Sequence, residues 1–206
     1  AYFEQAIEQK RANPDEGLLT KLVHAEIEGR PITKEELLGT CHLFLIAGLD
    51  TVTATLDCFV RHLATHPDQR DALVADPSLV DAAVEDMLRR ETPVMLVARV
   101  VKHDVEFGGM QMQAGDSLAP VLGAANTDGS EFDDAEAVRF DRTGNRHLAF
   151  GAGPHRCLGS HLARMELRVV LEELHARIPN YRLADGVELQ FSPAIRQAND
   201  GLPLVW

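Results

Sequence analysis

The chain of 206 residues carries 20 Lys and Arg against 32 Asp and Glu, a formal net charge of −12, and is 45% hydrophobic. That is enough apolar material for one substantial core, while the acidic balance argues against nucleic acid, whose phosphates need a surplus of Lys and Arg. Three widely spaced cysteines, Cys41, Cys58 and Cys157, offer neither a disulfide framework nor a CxxC metal pair, so a reducing cytosol is expected. No apolar run approaches the ~20 residues that span a bilayer. The N-terminal AYFEQAIEQKR is charged from its fourth residue, unlike a signal peptide, and a soluble cytoplasmic protein with no membrane partner is expected.

In chain order, Leu18, Leu19, Leu22, Val23 and Ile27 recur at helical spacing, ending near Gly29-Arg30-Pro31. Thr33 to Glu36 matches a capping box and opens a long helix predicted to reach about His66, where Pro67 stops it or opens the next. Because Leu43 to Leu49 is apolar all round, the middle of that helix is expected to be buried. A second helix follows Pro77, with Leu79, Ala83, Val84, Met87 and Leu88 inward, and Pro93 closes it. Short strands and hairpins are predicted from Val94 to Val101 and around Gly108-Gly109 and Gly115-Asp116. Residues 126–146 read as an irregular meander, the kind of long loop that is functional or tied down. Helical periodicity returns from Leu162 to Ile178, and the tail after Asn180 reads as short strands. Between Arg139 and Arg182 eight arginines face four acids, a basic island that could steer an acidic partner or be ordinary solvated helix charge.

The chemistry concentrates at Phe150-Gly-Ala-Gly-Pro-His-Arg-Cys-Leu-Gly159, which runs into the helix near Ser160. Gly151 and Gly153 permit a tight loop, and a helix start offers free amides and a positive dipole end that favour a thiolate at Cys157. Phe150 can shield the sulfur, and Gly159 lets backbone approach a flat cofactor. Read from the residues alone, Cys157 could also be a small buried hydrophobe. A zinc site with His155 and His161 is a further option, one ligand short. Phe150, Gly151, Gly153, His155, Cys157, Leu158 and Gly159 together resemble the cysteine-loop signature of the cytochrome P-450 family, and Leu162-Ala163-Arg164 continues the resemblance.

The resemblance implies a mainly helical fold with small β-sheets. Its parts are a long central helix, a brace helix, the meander, the cysteine loop and the helix after it. It also implies haem b with Cys157 as the axial ligand of the iron. Ala47-Gly48-Leu49-Asp50-Thr51 looks like the family's oxygen-binding motif, in which Asp50 and Thr51 deliver protons and Ala47 and Gly48 lie against the cofactor. In physical terms Thr51 can hydrogen-bond to the carbonyl of Ala47 and loosen the helix beside Gly48. The plainer alternative is a Thr that satisfies itself and an Asp that finds a buried Arg. The family's Glu-x-x-Arg brace is represented by Asp86 and Arg89, a departure in which Glu85 could share the load, and Arg139 resembles the third member. Arg99 and His155 match propionate contacts. Leu43, Ile46, Ala47, Val94, Met95, Val97, Ala194 and Ile195 match the substrate side.

The resemblance covers essentially all of residues 1–206, as the C-terminal, haem-binding part of a domain roughly twice this length. It implies a monooxygenase that inserts one atom of O₂ into a small hydrophobic substrate (terpenoid, aromatic or steroid-like), with electrons from a ferredoxin and its reductase. The alternatives are a haem-thiolate peroxygenase or rearrangement catalyst, against which the Asp50-Thr51 pair weighs, and a non-catalytic fragment.

Overall fold

Thr33 opens a helix by accepting the Glu36 backbone N–H at 3.2 Å, while the Glu36 carboxylate accepts the Thr33 N–H at 2.9 Å. This is the predicted capping box, and it satisfies amides that a helix start leaves without partners. The computed structural model describes residues 1–187 and 201–206, in two compact units, 1–50 and 51–206. The first holds α1 (Tyr2–Ala12), α2 (Leu18–Val23), the hairpin of β1 (Glu26–Ile27) and β2 (Arg30–Pro31), and α3 (Lys34–Leu49). Ile7, Val23, Ile32, Leu37 and Cys41 form its core.

Two sequence expectations change here. The helix expected to reach Ile27 stops at Val23, because Glu28 and Gly29 take positive φ (53° and 76°) and turn the chain into the hairpin. The middle of α3 is not buried: Leu43, Leu45, Ile46 and Leu49 are 61%, 47%, 70% and 60% exposed. A helix apolar all round is covered only where neighbours exist, and in this unit they cover the side of Leu37 and Cys41.

The helix predicted to run unbroken to His66 is interrupted at Asp50, and α4 spans Thr51–Thr65. Gly48 and Asp50 are weak helix formers, which fits a break at this point. Taken together, Lys34–Thr65 is long and apolar enough on average to cross a membrane, contrary to the expectation from apolar runs alone. The α4 part is amphipathic, and buries Ala54, Cys58, Phe59 and Leu63 in a protein core.

The second unit continues with α5 (Pro67–Ala75), a 3₁₀ turn at Pro77–Leu79 and α6 (Val80–Glu91). Next come β3 (Arg99–Val100), β4 (Val105–Phe107), β5 (Met110–Met112), β6 (Ser117–Leu118) and α7 (Leu122–Asn126). After the meander and cysteine loop follow α8 (Ser160–Arg177), β7 (Arg182–Leu183) and β8 (Leu204–Val205). The strands pair antiparallel as β3 with β6, β4 with β5 and β7 with β8. The helices α4, α6 and α8 meet over Phe59, Leu63, Met87, Leu167 and Leu171, all at most 1% exposed. Met87 and Leu88 fall on the inner side of α6, as the periodicity requires, and α5 opens at Pro67, whereas α7 is not separable from the sequence. Leu171→Ala should cost about 2–5 kcal/mol in denaturant unfolding of the chain. Val169→Ala, on the exposed side of the same helix, should stay within about 0.5 kcal/mol.

Candidate functional site

Two consecutive acids of α6 tie that helix to the meander, to the segment entering the cysteine loop and to α8. Asp86 and Arg89, one turn apart, are both 0% exposed. Arg89 donates Nε to Asp86 Oδ1 at 2.7 Å and Nη2 to Oδ2 at 3.3 Å. Its remaining N–H groups go to the backbone carbonyls of Asn126 (2.9 Å), Ala135 (2.6 Å) and Ala137 (2.7 Å). All five donors of the guanidinium are thereby used. On the other side of the carboxylate, Arg142 Nε reaches Oδ1 at 2.7 Å, Asn145 Nδ2 at 3.2 Å, and the Arg139 backbone N–H reaches Oδ2 at 2.6 Å.

The expected Asp86–Arg89 pair is buried and tied to the meander, and two details differ from the expectation. The third side chain is Arg142, 7% exposed, and not Arg139, whose guanidinium lies outward on Asp134 and Asp141. Glu85 does not share the load on Arg89. It faces the other way, accepting from Arg164 Nε (2.5 Å) and Nη2 (2.8 Å) and from His147 Nε2 (3.1 Å). Burial raises the Glu85 pKa, but the hydrogen bonds from Arg164 and His147, with the Arg164 charge, outweigh it and bring the value to about 2.

The cysteine loop is short and internally tied. Gly151 and Gly153 adopt φ of 65° and 64°, the left-handed region that glycine enters without penalty. Gly151 N–H donates to the Leu148 carbonyl at 2.8 Å, and Cys157 N–H to the Phe150 carbonyl at 2.8 Å. Cys157 is exposed and lies three residues before α8 begins at Ser160, with Gly159 as the N-cap, so the predicted helix start is near the thiol but not on it. Phe150 is half-buried, under the Arg164 guanidinium at 4.6 Å. Beside it a cleft of about 360 Å³ is lined in part by Glu85, His147, Gly153 and Arg156.

The donor set suits a haem. It is one soft sulfur, on a residue whose amide is fixed, flanked by exposed Leu158 (80%) and Leu162 (54%). A Cβ built on Gly153 or Gly159 would meet nothing within 4 Å, so open space borders the loop. Zinc does not fit, since no group of three ligating side chains occurs among the described residues, and an exposed Cys157 is no buried hydrophobe. Arg99 and His155 are both exposed. Of the other predicted residues, Leu43, Ile46, Ala47, Gly48 and Asp50 belong to the first unit. Thr51, Val94, Met95 and Val97 belong to the second, which also holds the cysteine loop. Ala194 and Ile195 lie outside the described residues. The basic island is largely compensated. Arg139, Arg142, Arg146, Arg164, Arg168, Arg177 and Arg182 each have an acid within 4.0 Å, and Arg156 is exposed.

The geometry makes two expectations measurable. Arg142→Ala leaves Asp86 and Arg89 buried with a partner missing, and should cost about 3–5 kcal/mol in unfolding; Arg139→Ala should leave the midpoint near that of the parent. The stabilisation from Glu85, whose pKa is depressed on folding, is complete above its ordinary value of 4.5 and is lost as pH falls toward about 2. Glu85→Gln should therefore flatten the acid limb of the stability–pH curve in that window.

The cytochrome P-450 family model matches residues 1–177. A steroid C26-monooxygenase of Mycolicibacterium smegmatis is 39% identical over 193 residues, covering 94% of this chain and 48% of that protein. A linalool 8-monooxygenase of Pseudomonas putida is 36% identical over 182 residues, covering 88% and 45%. Among solved structures, CYP109E1 of Bacillus megaterium in complex with testosterone superposes with a TM-score of 0.89 at 34% identity, covering 98% of this chain and 56% of that one. The chain thus spans about half the length of the relatives it matches. With the brace on α6, the glycine-turned loop and its exposed thiol, these matches place the chain in the cytochrome P-450 family.

Proposed function

We propose that residues 1–206 are the C-terminal, haem-carrying part of a bacterial haem-thiolate monooxygenase, and that the cofactor is haem b held by Cys157. The observation that carries this reading is the exposed Cys157 thiol in a loop pinned by the Phe150 carbonyl. When bound, the haem supplies the iron at which dioxygen is reduced and split. Cys157 would hold that iron and lend it electron density, which favours O–O cleavage. With the haem in place Phe150 would shield the sulfur, and Arg99 and His155 would offer N–H donors to the propionates. By the family resemblance, Asp50 and Thr51 would deliver protons, and Ala47 and Gly48 would supply the small side chains that a flat ring needs.

The substrate is a small hydrophobic molecule oriented by Leu43, Ile46, Val94, Met95 and Val97, with Ala194 and Ile195 completing the set. Relatives named for a steroid and for linalool support a terpenoid or steroid-like skeleton. Electrons come from a ferredoxin and its reductase in the cytoplasm, where thiols such as these three stay reduced. Because most of the basic island is compensated locally, docking relies on short-range contacts near Arg156 more than on a long-range field.

Purified chain supplied with haem, reduced and exposed to carbon monoxide should show the red-shifted Soret band of thiolate ligation, and Cys157→Ser should lack it. A folded parent chain that binds haem without that band would contradict the assignment. In the full-length protein, oxygen uptake coupled to a reductant separates monooxygenation from a peroxide-dependent reaction.

A further inference from the structure

Glu85 and Asp86 are neighbours in sequence, but a helix turns about 100° per residue, so their carboxylates leave α6 in different directions. Asp86 takes the meander. Glu85 takes Arg164 from α8 in a two-point pair, and His147 from the segment entering the cysteine loop. The tautomer of His147 is set from its other side. Its Nδ1 accepts the Ala149 backbone N–H at 3.2 Å, which leaves the proton on Nε2 to donate to Glu85.

Both partners of Glu85 bear on one ring. The Arg164 guanidinium carbon sits 4.6 Å from the centroid of Phe150, within the range where a cation is attracted by an aromatic face. The His147 ring lies 6.0 Å from the same ring, tilted by 47°. Phe150 in turn supplies the carbonyl that accepts the Cys157 N–H. Of the other backbone hydrogen bonds here, Gly151 to Leu148 and Arg156 to Gly153 are local turns, and the Ser160 N–H at the start of α8 donates to the Cys157 carbonyl at 3.4 Å, which leaves the Phe150 carbonyl as the acceptor on the amide side of Cys157.

We propose that Glu85 is a positioning residue for Cys157: it clamps Arg164 and His147 against Phe150, and the backbone of Phe150 holds the residue that bears the sulfur. The functional meaning of the clamp rests on Cys157 being the haem ligand, whereas the clamp is a property of the chain itself. Without the Glu85 charge, Arg164, only 29% exposed, loses its counter-ion and gains by moving to solvent. Phe150 then loses its cover, and the hydrogen bond to Cys157 loses its fixed acceptor.

Hydrogen exchange on the purified chain tests this directly. In Glu85→Gln and in Arg164→Gln, the peptide containing the Cys157 amide should exchange at least about tenfold faster, while the α6 and meander peptides held by Asp86 keep the parent rate. Phe150→Leu, which leaves the Glu85–Arg164 pair in place, should give the same local acceleration, and it decides the matter if the charge variants fail to fold. An unchanged Cys157 peptide in the folded variants overturns the proposal. A second readout is spectroscopic. Haem-loaded Glu85→Gln reduced under carbon monoxide should show a smaller share of the thiolate-ligated band than the parent, and a full share would count against the clamp. A parent with no such band would refute the haem assignment instead, leaving the exchange measurement to judge the clamp alone.

Discussion

A carboxylate with no exposure, that of Asp86, fixes the geometry on which the rest of the second unit depends. It meets two guanidinium groups, Arg89 and Arg142, so the buried cluster carries an excess of positive charge. That excess is spent on backbone oxygen. Arg89 donates to the carbonyls of Asn126, Ala135 and Ala137, and Arg142 to those of Asp133, Asp134 and Ala137. A segment with neither helix nor sheet has carbonyls that must find partners elsewhere, and here two arginines supply them. A buried ion pair is weak evidence for net stability, because desolvation offsets the attraction. What this one provides is a single path for the meander.

The same helix end reaches the cysteine loop through neutral groups. Thr92, just past α6, takes a left-handed conformation at φ 37°, which a β-branched residue rarely adopts. Its hydroxyl donates to the Arg89 carbonyl at 2.5 Å and accepts from Asn126 Nδ2 at 2.9 Å. Asn126 then uses its Oδ1 to accept the Leu148 N–H at 2.6 Å, where the cysteine loop begins. The backbone strain at Thr92 is held by these bonds. From α6, then, one route of charge runs through Glu85 and one of neutral hydrogen bonds runs through Asn126, and they converge on 147–150.

Much of this was legible in the sequence because it is local. The capping box at Thr33, the inner side of α6, the period of α8 and the glycines of the cysteine loop depend on residues a few positions apart, and each is found as read. What depends on distant partners is not legible. Arg139 and Arg142 are three residues apart with the same side chain, and only the path of the meander decides which one turns inward. Glu85 and Asp86 are both acids on one helix turn, and their division of labour is set by Arg164 and Arg142, which lie more than 50 positions downstream. Gly48 and Thr51 point to a local loosening, but not to the full break at Asp50. The exposure of Leu43 to Leu49 is not legible either, because composition reports how much cover a helix needs and not whether the chain supplies it.

Asp at position 86, where the family resemblance calls for Glu, shows how such a change is accommodated. Asp is one methylene shorter than Glu, so its carboxylate lies close to α6 and its partners have to reach it there. They do so from the meander: Arg142 through Nε, Asn145 through Nδ2 and Arg139 through its own backbone N–H. A backbone donor cannot extend as a side chain can, so its 2.6 Å hydrogen bond holds the main chain at 139 directly against the Asp86 carboxylate. The position of one carboxylate is thereby coupled to the path of the loop in front of it. That coupling explains why the Arg139 side chain points outward: with its amide committed to Asp86, the inward direction at that position is taken by backbone, and the guanidinium finds Asp134 and Asp141 at the surface.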